Sequence, residues 1–395
     1  MENDHRFLKI NHFHGAPSHF NFHTSNFKLH NTGGQKMSFK VLFSSVKYDK
    51  YDADVTLPAR FGRLLDRMGM EAVVKDKLTA VKMHLGRGIG YTTIHPLFVK
   101  MLIDKLKKFG AKVYITDQDV SEPLNRGYSA DYFGVPLEYV CGVTGKYVYE
   151  KEVNFKTFKN LDIGGNIHDA EVMINLSHVK GHGACGYGGA CKNIAMGCVT
   201  DRTRGQIHSL EGGLDWKEEL CTHCELCLRG CNHHANQFEN GKYQVFFHHC
   251  TYCQHCVKVC PAGALTMDAN RYVDFQYGMA LCTDMVLQRF KPGHVFYINF
   301  LMNITALCDC WGFSTPALVP DIGVMASQDI VAIEQASLDA IKVEDLIPNG
   351  VPQGMELRAT GHLLERLHGK DPQVQINELE KRGLGSSKYE IEEVL

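Results

Sequence analysis

Two closely spaced runs of cysteines are the groups in this sequence with the most evident chemistry. The first run supplies Cys221, Cys224, Cys227 and Cys231, and the second supplies Cys250, Cys253, Cys256 and Cys260. Each run reads C-x2-C-x2-C-x3-C, a spacing that binds [4Fe-4S] clusters, with the fourth cysteine ligating the other cluster. We therefore expect two clusters, one bound by Cys221, Cys224, Cys227 and Cys260 and the other by Cys250, Cys253, Cys256 and Cys231.

Other uses of so many cysteines fit this pattern less well. A zinc ribbon uses two pairs of ligands rather than two quartets, and disulfide-bonded chains show no such regular doublet. One position departs from the usual run, because Asn232 follows Cys231 where a proline is common, as Pro261 is after Cys260. This difference loosens the turn after Cys231 but removes no ligand.

A glycine-rich segment upstream, residues 176–198, concentrates polar side chains after an apolar run. Glycine lets the backbone approach a ligand closely, and lysine, histidine and asparagine supply donors for a carboxylate or phosphate. We therefore predict an anion site here, with a purely structural glycine-rich turn as the alternative. We assign catalytic roles to Lys180, His182 and Lys192, and cofactor binding to Asn193, Cys198 and His208, the last in a basic stretch with Arg202 and Arg204.

A third polar group, Cys308-Asp309-Cys310, precedes Trp311. Two thiols and a carboxylate after a strand suit a metal, a persulfide or a substrate, and two partly buried thiols are the alternative. A disulfide within C-x-C is strained. We assign catalytic roles to Cys308 and Cys310. Loops that leave the carboxyl ends of parallel strands converge on one crevice, which predicts a site shared with Cys185, Cys191 or Cys198.

A glycine loop, residues 86–90, follows a predicted strand and precedes a predicted helix. Such a position suits an anion, because free backbone amides and the helix dipole favour negative charge. We assign cofactor binding to Gly86 and Gly88, although the spacing is not G-x-G-x-x-G and a plain glycine turn fits equally well. Cys141 and Cys282 have no neighbouring ligand pattern, which indicates buried core thiols.

The elements that must position these groups alternate between strand and helix. Apolar runs of strand length cover 39–46, 78–85, 111–117, 170–179 and 294–301, and helical patterns cover 57–70, 95–110, 327–341 (entered through a serine cap), the region near 357–368 and the region near 373–382. This alternation predicts an α/β fold, a mostly parallel sheet with helices on both faces. We expect an inserted α+β ferredoxin-like module at 215–270 between two parts of the α/β domain, 37–214 and 271–345, with a C-terminal helical tail, 346–395, packed on the main domain.

Composition limits the class of protein. A length of 395 residues suffices for one large α/β domain and a small module. A formal net charge of -2 gives no indication of nucleic acid or an anionic membrane surface. No stretch approaches the roughly 18 apolar residues of a membrane span. The many thiols indicate a reducing, cytoplasmic setting.

The amino terminus differs from the rest of the chain. Residues 1–36 lack apolar periodicity and lack the apolar core of a secretory signal, and they contain His5, His12, His14, His19, His23 and His30. Histidine-rich tracts can bind metal, but these histidines are irregularly spaced. We expect a disordered extension, with folded sequence from Met37.

Several of these segments together resemble the iron–sulfur proteins grouped as "domain of unknown function 362". They are LSHVKGHGACGYGGACKNIAMGC, the cysteine doublet, INFLMNITALCDCWGFSTPALVPDIGVMASQDIVAIEQAS and GLGSSKYE. The resemblance runs from Met37 to the carboxyl terminus and implies an α/β domain with an inserted two-cluster ferredoxin module, found largely in anaerobes. The matching positions are the eight cluster cysteines, Lys180, Gly181, His182, Cys191, Lys192 and Asn193, and more loosely His84, Gly86 and Asp117; leucine or alanine is commoner than cysteine at position 191.

Two functions from different classes follow from these observations. In the first, the protein is an oxidoreductase whose clusters deliver low-potential electrons from a redox partner protein to a small anionic substrate or cofactor in the α/β crevice. In the second, it is an electron carrier or a metal or sulfur maturation factor without turnover of its own. A closed polar pocket near a cluster favours the first, and an exposed cluster with an open thiol patch favours the second.

Overall fold

The computed structural model describes residues 39–395, so the extension predicted for residues 1–36 lies outside the described residues. The strands are β1 Phe39–Ser45, β2 Leu78–Met83, β3 Lys112–Asp117, β4 Leu137–Tyr139, β5 Val148–Phe155, β6 Phe158–Gly164, β7 Val172–His178, β8 Lys180–His182, β9 Gly186–Gly188, β10 Leu214–Trp216, β11 Asn236–Glu239, β12 Lys242–Val245, β13 Leu265–Met267, β14 Val295–Leu301, β15 Gly323–Ser327 and β16 Tyr389–Glu393.

The α-helices lie between and after these strands. They are α1 Leu57–Arg67, α2 Glu71–Val74, α3 Pro96–Lys108, α4 Ala130–Phe133, α5 Gly165–His168, α6 Ala190–Gly197, α7 Asp201–His208, α8 Leu226–Arg229, α9 His255–Lys258, α10 Val273–Leu287, α11 Ile330–Asp339, α12 Leu363–His368 and α13 Gln373–Lys381.

One eight-stranded sheet organises the fold, in the order β16-β1-β15-β14-β7-β2-β3-β4. Of its strands only β15 runs antiparallel to its neighbours, and the other pairs are parallel. The predicted mostly parallel α/β sheet is therefore confirmed. Its four central parallel strands, β14, β7, β2 and β3, bring their carboxyl ends together at one edge.

Helices cover both faces of this sheet, because successive side chains of each strand point to opposite sides. On one face, Val172 and Ile174 of β7 pack with residues of α1 and α3. On the other, Met173 packs in a second core with residues of α6, α10, α11 and α13. The central strand β7 is buried along its whole length, as expected for a parallel strand that is covered on both sides.

The helices begin and end where local chemistry allows. Pro96 stands in the first turn of α3, and the His95 side chain accepts a hydrogen bond from the Leu97 backbone N–H. Gly110 follows α3 with a φ of 82°, a conformation that costs glycine little. The apolar face of α3 then lies against the sheet. The sequence predicts this helix over 95–110, and β3 follows it directly in the chain.

Three predicted boundaries are wrong. The predicted helix 327–341 begins at Ile330, and its cap is Asp329, which accepts from the Ala332 N–H, whereas the Ser327 hydroxyl accepts from the Asp329 N–H. The helix predicted over 57–70 ends at Arg67. The helix predicted near 357–368 begins only at Leu363, because the preceding residues form an irregular loop that enters the helix at His362.

Residues 214–267 form a unit of their own beside the main sheet. Strand β10 pairs with β13 and β11 pairs with β12, both antiparallel, and none of the four joins the eight-stranded sheet. A separate small core that includes Trp216, Tyr243 and Val245 holds them together. We call residues 214–267 the cysteine module, because all eight cysteines of the two runs lie in it.

Cys141 and Cys282 are fully buried, which confirms the prediction that they are core thiols. Among residues 39–395, no helix combines the length and the apolar character needed to cross a membrane.

Candidate functional site

Polar side chains from several strands and loops line one crevice at the carboxyl edge of the sheet. Lys82 and His84 come from the end of β2, Asp117 ends β3, and the segment after β7 contributes Lys180. Helix α6 adds Lys192 and Asn193, and the loop after β14 adds Cys310. The crevice is narrow and opens to solvent, and the centre of a water-sized sphere can reach about 70 Å³ of it. The structure thus brings the lysines of segment 176–198 and the Cys308–Cys310 loop together.

Two carboxylates hold His84 between them. His84 Nδ1 lies 3.3 Å from Asp117 Oδ2, and His84 Nε2 lies 3.4 Å from Asp309 Oδ1. Burial lowers the pKa of His84, but Asp309 and Asp117 outweigh burial and raise that pKa to about 10. His84 is therefore a cation at neutral pH. Lys82 pairs with Asp117 at 2.9 Å, and Lys180 pairs with Asp309 at 3.6 Å.

Both carboxylates remain ionised in this buried network. Burial opposes the charge of Asp117, but Lys82 and His84 hold the pKa of Asp117 well below its usual value. Burial likewise opposes the charge of Asp309, and Lys180 and His84 hold the pKa of Asp309 well below normal. One oxygen of Asp309, Oδ2, is buried and lacks a hydrogen-bond partner among the described residues. The crevice floor therefore consists of paired charges.

Cys308 is contacted by a lysine and by its neighbour Cys310. Lys192 Nζ lies 3.5 Å from Cys308 Sγ, and the Cys310 backbone N–H donates to the same sulfur at 3.4 Å. Burial raises the pKa of Cys308, but the Cys310 side chain and Lys192 lower it well below normal. The contact with Cys308, together with burial, raises the pKa of Cys310. The pair thus favours a thiolate on Cys308 and a thiol on Cys310 at neutral pH.

Asn193 orients Lys82 rather than facing solvent. Its side-chain amide donates to the Lys82 carbonyl at 3.2 Å, the Leu176 carbonyl at 3.1 Å and the Ser177 hydroxyl at 3.1 Å. Its side-chain oxygen accepts from Lys82 Nζ at 2.6 Å. These protein groups occupy the amide of Asn193, and the network holds α6 against the ends of β2 and β7.

Two histidines of segment 176–198 are buried and neutral. His178 Nε2 lies 2.8 Å from the Met302 carbonyl, and burial, with Lys180 nearby, lowers the pKa of His178 to about 4. The Ala184 backbone N–H donates to His182 Nδ1 at 3.2 Å, and Cys185 Sγ lies 3.4 Å from the same nitrogen. Burial and Lys192 lower the pKa of His182 well below normal. Each neutral ring carries a lone pair on Nδ1: that of His182 accepts from Ala184, and that of His178 has no partner among the described residues.

The glycine loop 86–90 packs against the Cys308–Gly312 loop. The Ile89 backbone N–H donates to the Gly312 carbonyl at 2.9 Å, and a Cβ on Gly88 would lie 2.8 Å from that oxygen. The Gly88 N–H is engaged by Glu122, and a Cβ on Gly86 would lie 2.6 Å from Arg126. These glycines allow a close approach of two loops, and Arg87 between them faces the crevice.

Some predicted site residues lie outside this crevice. Cys198 is fully buried at the end of α6, Cys191 contacts Thr283, and Cys185 lies beside His182. His208, the last residue of α7, pairs with Glu211 at 2.5 Å. None of the four lines the crevice. Cys185, Cys191 and Cys198 are also absent from the two groups of described side chains close enough to hold a metal, which are His182, Cys308 and Cys310, and His84, Cys308 and Asp309.

Sequence reasoning missed Lys82 and His248. A charged residue inside the apolar run LTAVKMHL is a signal, because lysine is almost never fully buried unless it is paired. Lys82 is indeed fully buried. His248 lies in the run FFHHC before Cys250 and belongs to no sequence motif. Its contact with the crevice loops is visible only in the packing of the cysteine module.

The two cysteine runs of the module adopt the same unusual backbone conformation. His223 and Glu225 in the first run, and Tyr252 and Gln254 at the equivalent positions of the second, all have φ between 52° and 64°. Non-glycine residues adopt this left-handed region only when their surroundings impose it. Each loop then enters a one-turn helix, α8 or α9. The module is therefore an internal repeat of loop and helix.

The cysteines of the module fall into two neighbourhoods. Cys221, Cys224, Cys227 and Cys260 line one small cavity. In the other neighbourhood, burial and then Cys231 and Cys253 raise the pKa of Cys256. Burial also raises the pKa of Cys250 to about 11, with smaller contributions from Cys256 and Cys231. The first group is partly exposed, whereas Cys250 and Cys256 are buried.

The module contacts the crevice loops through His248. The His248 ring centroid lies 5.0 Å from that of His182 and 4.2 Å from that of Trp311, next to Cys310. A Cβ on Gly183 would lie 2.3 Å from the His248 carbonyl oxygen, so only glycine fits at this contact. Lys370, from the C-terminal tail, donates to the carbonyls of Gly183 and Phe247, at 2.9 Å to the latter.

The fold and the site define an α/β protein in which a cysteine module packs against a polar crevice at the carboxyl edge of the sheet. A family model with the description "Domain of unknown function (DUF362)" matches residues 79–339. The chain belongs to this family. The matched range contains the crevice residues and the whole cysteine module.

Other comparisons are more distant. No curated protein matches this chain. A solved structure of the lactate racemase apoprotein from Thermoanaerobacterium thermosaccharolyticum aligns with 12% sequence identity and a TM-score of 0.31, over 61% of this chain. The aligned part spans 49% of the racemase chain, about half its length. A likeness of this degree defines neither a shared fold nor a shared activity.

Proposed function

We propose that this protein is an iron–sulfur redox protein that binds two [4Fe-4S] clusters and passes low-potential electrons to a small anionic substrate or cofactor in the crevice. The setting that fits this chemistry is a reducing cytoplasm, because such clusters and free thiols are sensitive to oxidation. Electrons would come from a redox partner protein.

The cysteine module suits two clusters. In this proposal Cys221, Cys224, Cys227 and Cys260 hold the first cluster, and these four side chains line a single cavity. Cys231, Cys250, Cys253 and Cys256 hold the second. A left-handed residue in the first run, His223, donates its backbone N–H to Cys221 Sγ at 3.5 Å, and such amides suit an anionic group. Such clusters supply one-electron transfer at a potential set by their surroundings.

The exposure of the thiols indicates the direction of electron transfer through the two quartets. Cys224 is exposed and its three partners are half-buried, so the first quartet faces outward where a partner protein can dock. Cys250 and Cys256 are buried, and the chain between β12 and Cys250 contacts the crevice. Electrons would therefore enter at the first quartet and leave from the second.

The observation that carries the proposal is the position of His248 between the second quartet and the crevice. It stands two residues before Cys250, and its ring packs on His182 and Trp311 at 5.0 and 4.2 Å. A polar pocket whose flanking loops contact a predicted cluster loop, through His182 and Trp311, is what a reductase needs. A simple carrier has no use for such a pocket.

Crevice side chains explain the preference for an anion. Lys180, Lys192 and Arg87 line the space, and Arg204 faces it from α7. Lys180 is the partner of Asp309 at 3.6 Å, a distance that leaves its remaining donors free for a ligand. His84 carries a proton between Asp117 and Asp309, so it adds positive charge beside the lysines at neutral pH.

A metal or sulfur maturation factor is the second candidate. The observation that favours it is the group of soft ligands His182, Cys308 and Cys310. A maturation factor should release a bound metal or sulfur to an acceptor protein, whereas a reductase should retain it through turnover. Exchange with a labelled metal measures this difference.

The test of the main proposal is the iron and acid-labile sulfide content of protein purified without oxygen, with electron paramagnetic resonance of the reduced sample. We expect about eight irons and eight sulfides per chain, the content of two cubanes. Cys224→Ser should lower the content of the first cluster alone, and Cys253→Ser should lower the content of the second cluster alone. Cys282→Ser, which changes a buried core thiol, is the matched control. Zinc in place of iron would contradict the proposal.

A further inference from the structure

We propose that His182, Cys308 and Cys310 bind a transition-metal ion, separate from the two clusters, with one coordination position open to the crevice. This goes beyond electron delivery, because it places a third metal where substrate would bind. The three ligand atoms lie within 4.8 Å of one another, and His182 and Cys308 are buried while Cys310 is half-buried.

The local backbone holds the thiols of Cys308 and Cys310 close together. Residues 309–311 form a single 3-10 turn that Cys308 caps, with its sulfur accepting from the Cys310 N–H. A thiolate binds zinc at about 2.3 Å and an imidazole at about 2.0–2.1 Å. Ligand atoms that already lie within 4.8 Å therefore need only small side-chain rotations to close on one ion.

The ligand types select the ion. Two sulfurs and one nitrogen are soft or borderline donors, which favour zinc and related transition metals over magnesium or calcium. The overlapping group of His84, Cys308 and Asp309 is the less suitable alternative. Both ring nitrogens of His84 face carboxylates, and Asp309 already pairs with Lys180.

A metal also accounts for two thiols held so closely together. If both are ionised, their charges repel in a site with little water, and a divalent cation between them removes that repulsion. Lys192, at 3.5 Å from Cys308 Sγ, then remains beside the bound ion. It is placed to attract an anion to the fourth position.

Three protein ligands leave an open position, the arrangement typical of catalytic rather than structural zinc. Cys310 lines the crevice, so that position faces the space bounded by Lys180 and Lys192. The ligand class is a small molecule with a carboxylate or another anionic donor. A bound metal would polarise it and accept no electrons itself if the metal is zinc.

The test uses the full chain, purified without oxygen, and measures all transition metals together with acid-labile sulfide. We expect about one metal ion per chain beyond the iron that the sulfide accounts for. Cys308→Ser, Cys310→Ser and His182→Ala should each lose that ion, whereas Cys282→Ser should keep it. After mild chelation, added Co²⁺ should give a sulfur-to-cobalt charge-transfer band in the unsubstituted protein and none in Cys308→Ser. Circular dichroism confirms that each variant folds.

The results separate this site from the clusters. Cys224→Ser should lose iron and sulfide but keep the extra ion, so failure of the cluster assignment leaves the third site standing. Conversely, eight irons and eight sulfides without further metal, and without a cobalt band, would overturn the third site alone. Retention of the extra ion in all three ligand variants would overturn it as well.

Discussion

Lys192 Nζ lies 3.5 Å from Cys308 Sγ, although the two residues are 116 positions apart in sequence. Lys192 comes from helix α6 and Cys308 from the loop after β14. Their contact exists because β14 and β7 are parallel neighbours, so the segments that leave both strands begin at the same edge of the sheet. The pair joins the glycine-rich segment to the C-x-C segment.

Lys192→Met should raise the pKa of Cys308 in metal-free protein. The lysine charge stabilises the buried thiolate, so its loss shifts the midpoint of ionisation upward. The measurement is the pH profile of Cys308 alkylation by mass spectrometry. Lys192→Arg should keep the midpoint near its original value. An unchanged midpoint in Lys192→Met would show that Cys310, Lys180 and His84 stabilise the thiolate without Lys192.

Lys370→Met should make the potential of the proposed second cluster more negative. Lys370 is buried, and its charge interacts with Cys250. Removing a buried positive charge destabilises the reduced, more negative cluster, by roughly 60 mV for each 1.4 kcal/mol of lost interaction. The measurement is a redox titration followed by electron paramagnetic resonance. Lys258→Met, on the exposed face of α9, should shift the potential much less because water screens its charge.

Gly183→Ala should destabilise the contact between the cysteine module and the crevice. The added Cβ would lie 2.3 Å from the His248 carbonyl, so the backbone must move, at a cost of about 1–3 kcal/mol. Thermal or denaturant unfolding measures the change. Gly205→Ala on α7 is the matched control, because a Cβ there meets nothing within 4 Å, and it should be neutral or stabilising by about 0.5–1 kcal/mol. Equal effects of the two changes would contradict the packing described.

Protonation of His368 should weaken the fold as the pH falls. His368 donates to the Ala306 carbonyl at 2.8 Å, and burial, with Lys370 nearby, lowers its pKa to about 3. Because this pKa lies below the unfolded value of 6.5, the unfolded chain binds the proton first, so stability is full above pH 6.5 and declines below it.

Protonation of His368 should lower the free energy of unfolding by about 2 kcal/mol near pH 5. His368→Gln retains a donor for Ala306 but does not titrate, so its free energy of unfolding should vary less over this range. Parallel pH curves for the unsubstituted protein and His368→Gln would exclude His368 as the cause.

Much of the architecture is predictable because its causes are local. The apolar run at 170–179 has the composition of a strand buried on both faces, and β7 is such a strand. The serine at 327 looks like a helix cap, yet Asp329 caps α11 because it stands next to the first helical residue, and Ser327 supports it. Caps depend on the turn geometry that precedes a helix, which sequence spacing does not determine.

The candidate site was predictable only in part. Polar residues after parallel strands converge by topology alone, which explains why Lys180, Lys192 and Cys310 meet at the crevice. Cys198 follows the same segment but lies at the end of α6 in the core, because the helix rotates it away from the edge. His248 reaches the crevice through contacts between separate units, and no local pattern encodes them.

Within residues 39–395, strand β16 forms one edge of the main sheet, beside β1. An edge strand offers unpaired backbone groups to any other strand, which is a route to aggregation. This one carries Glu390, Glu392 and Glu393, and Glu390 and Glu393 are exposed. Two copies that approached edge to edge would bring these carboxylates together, so like-charge repulsion protects the open side of the sheet.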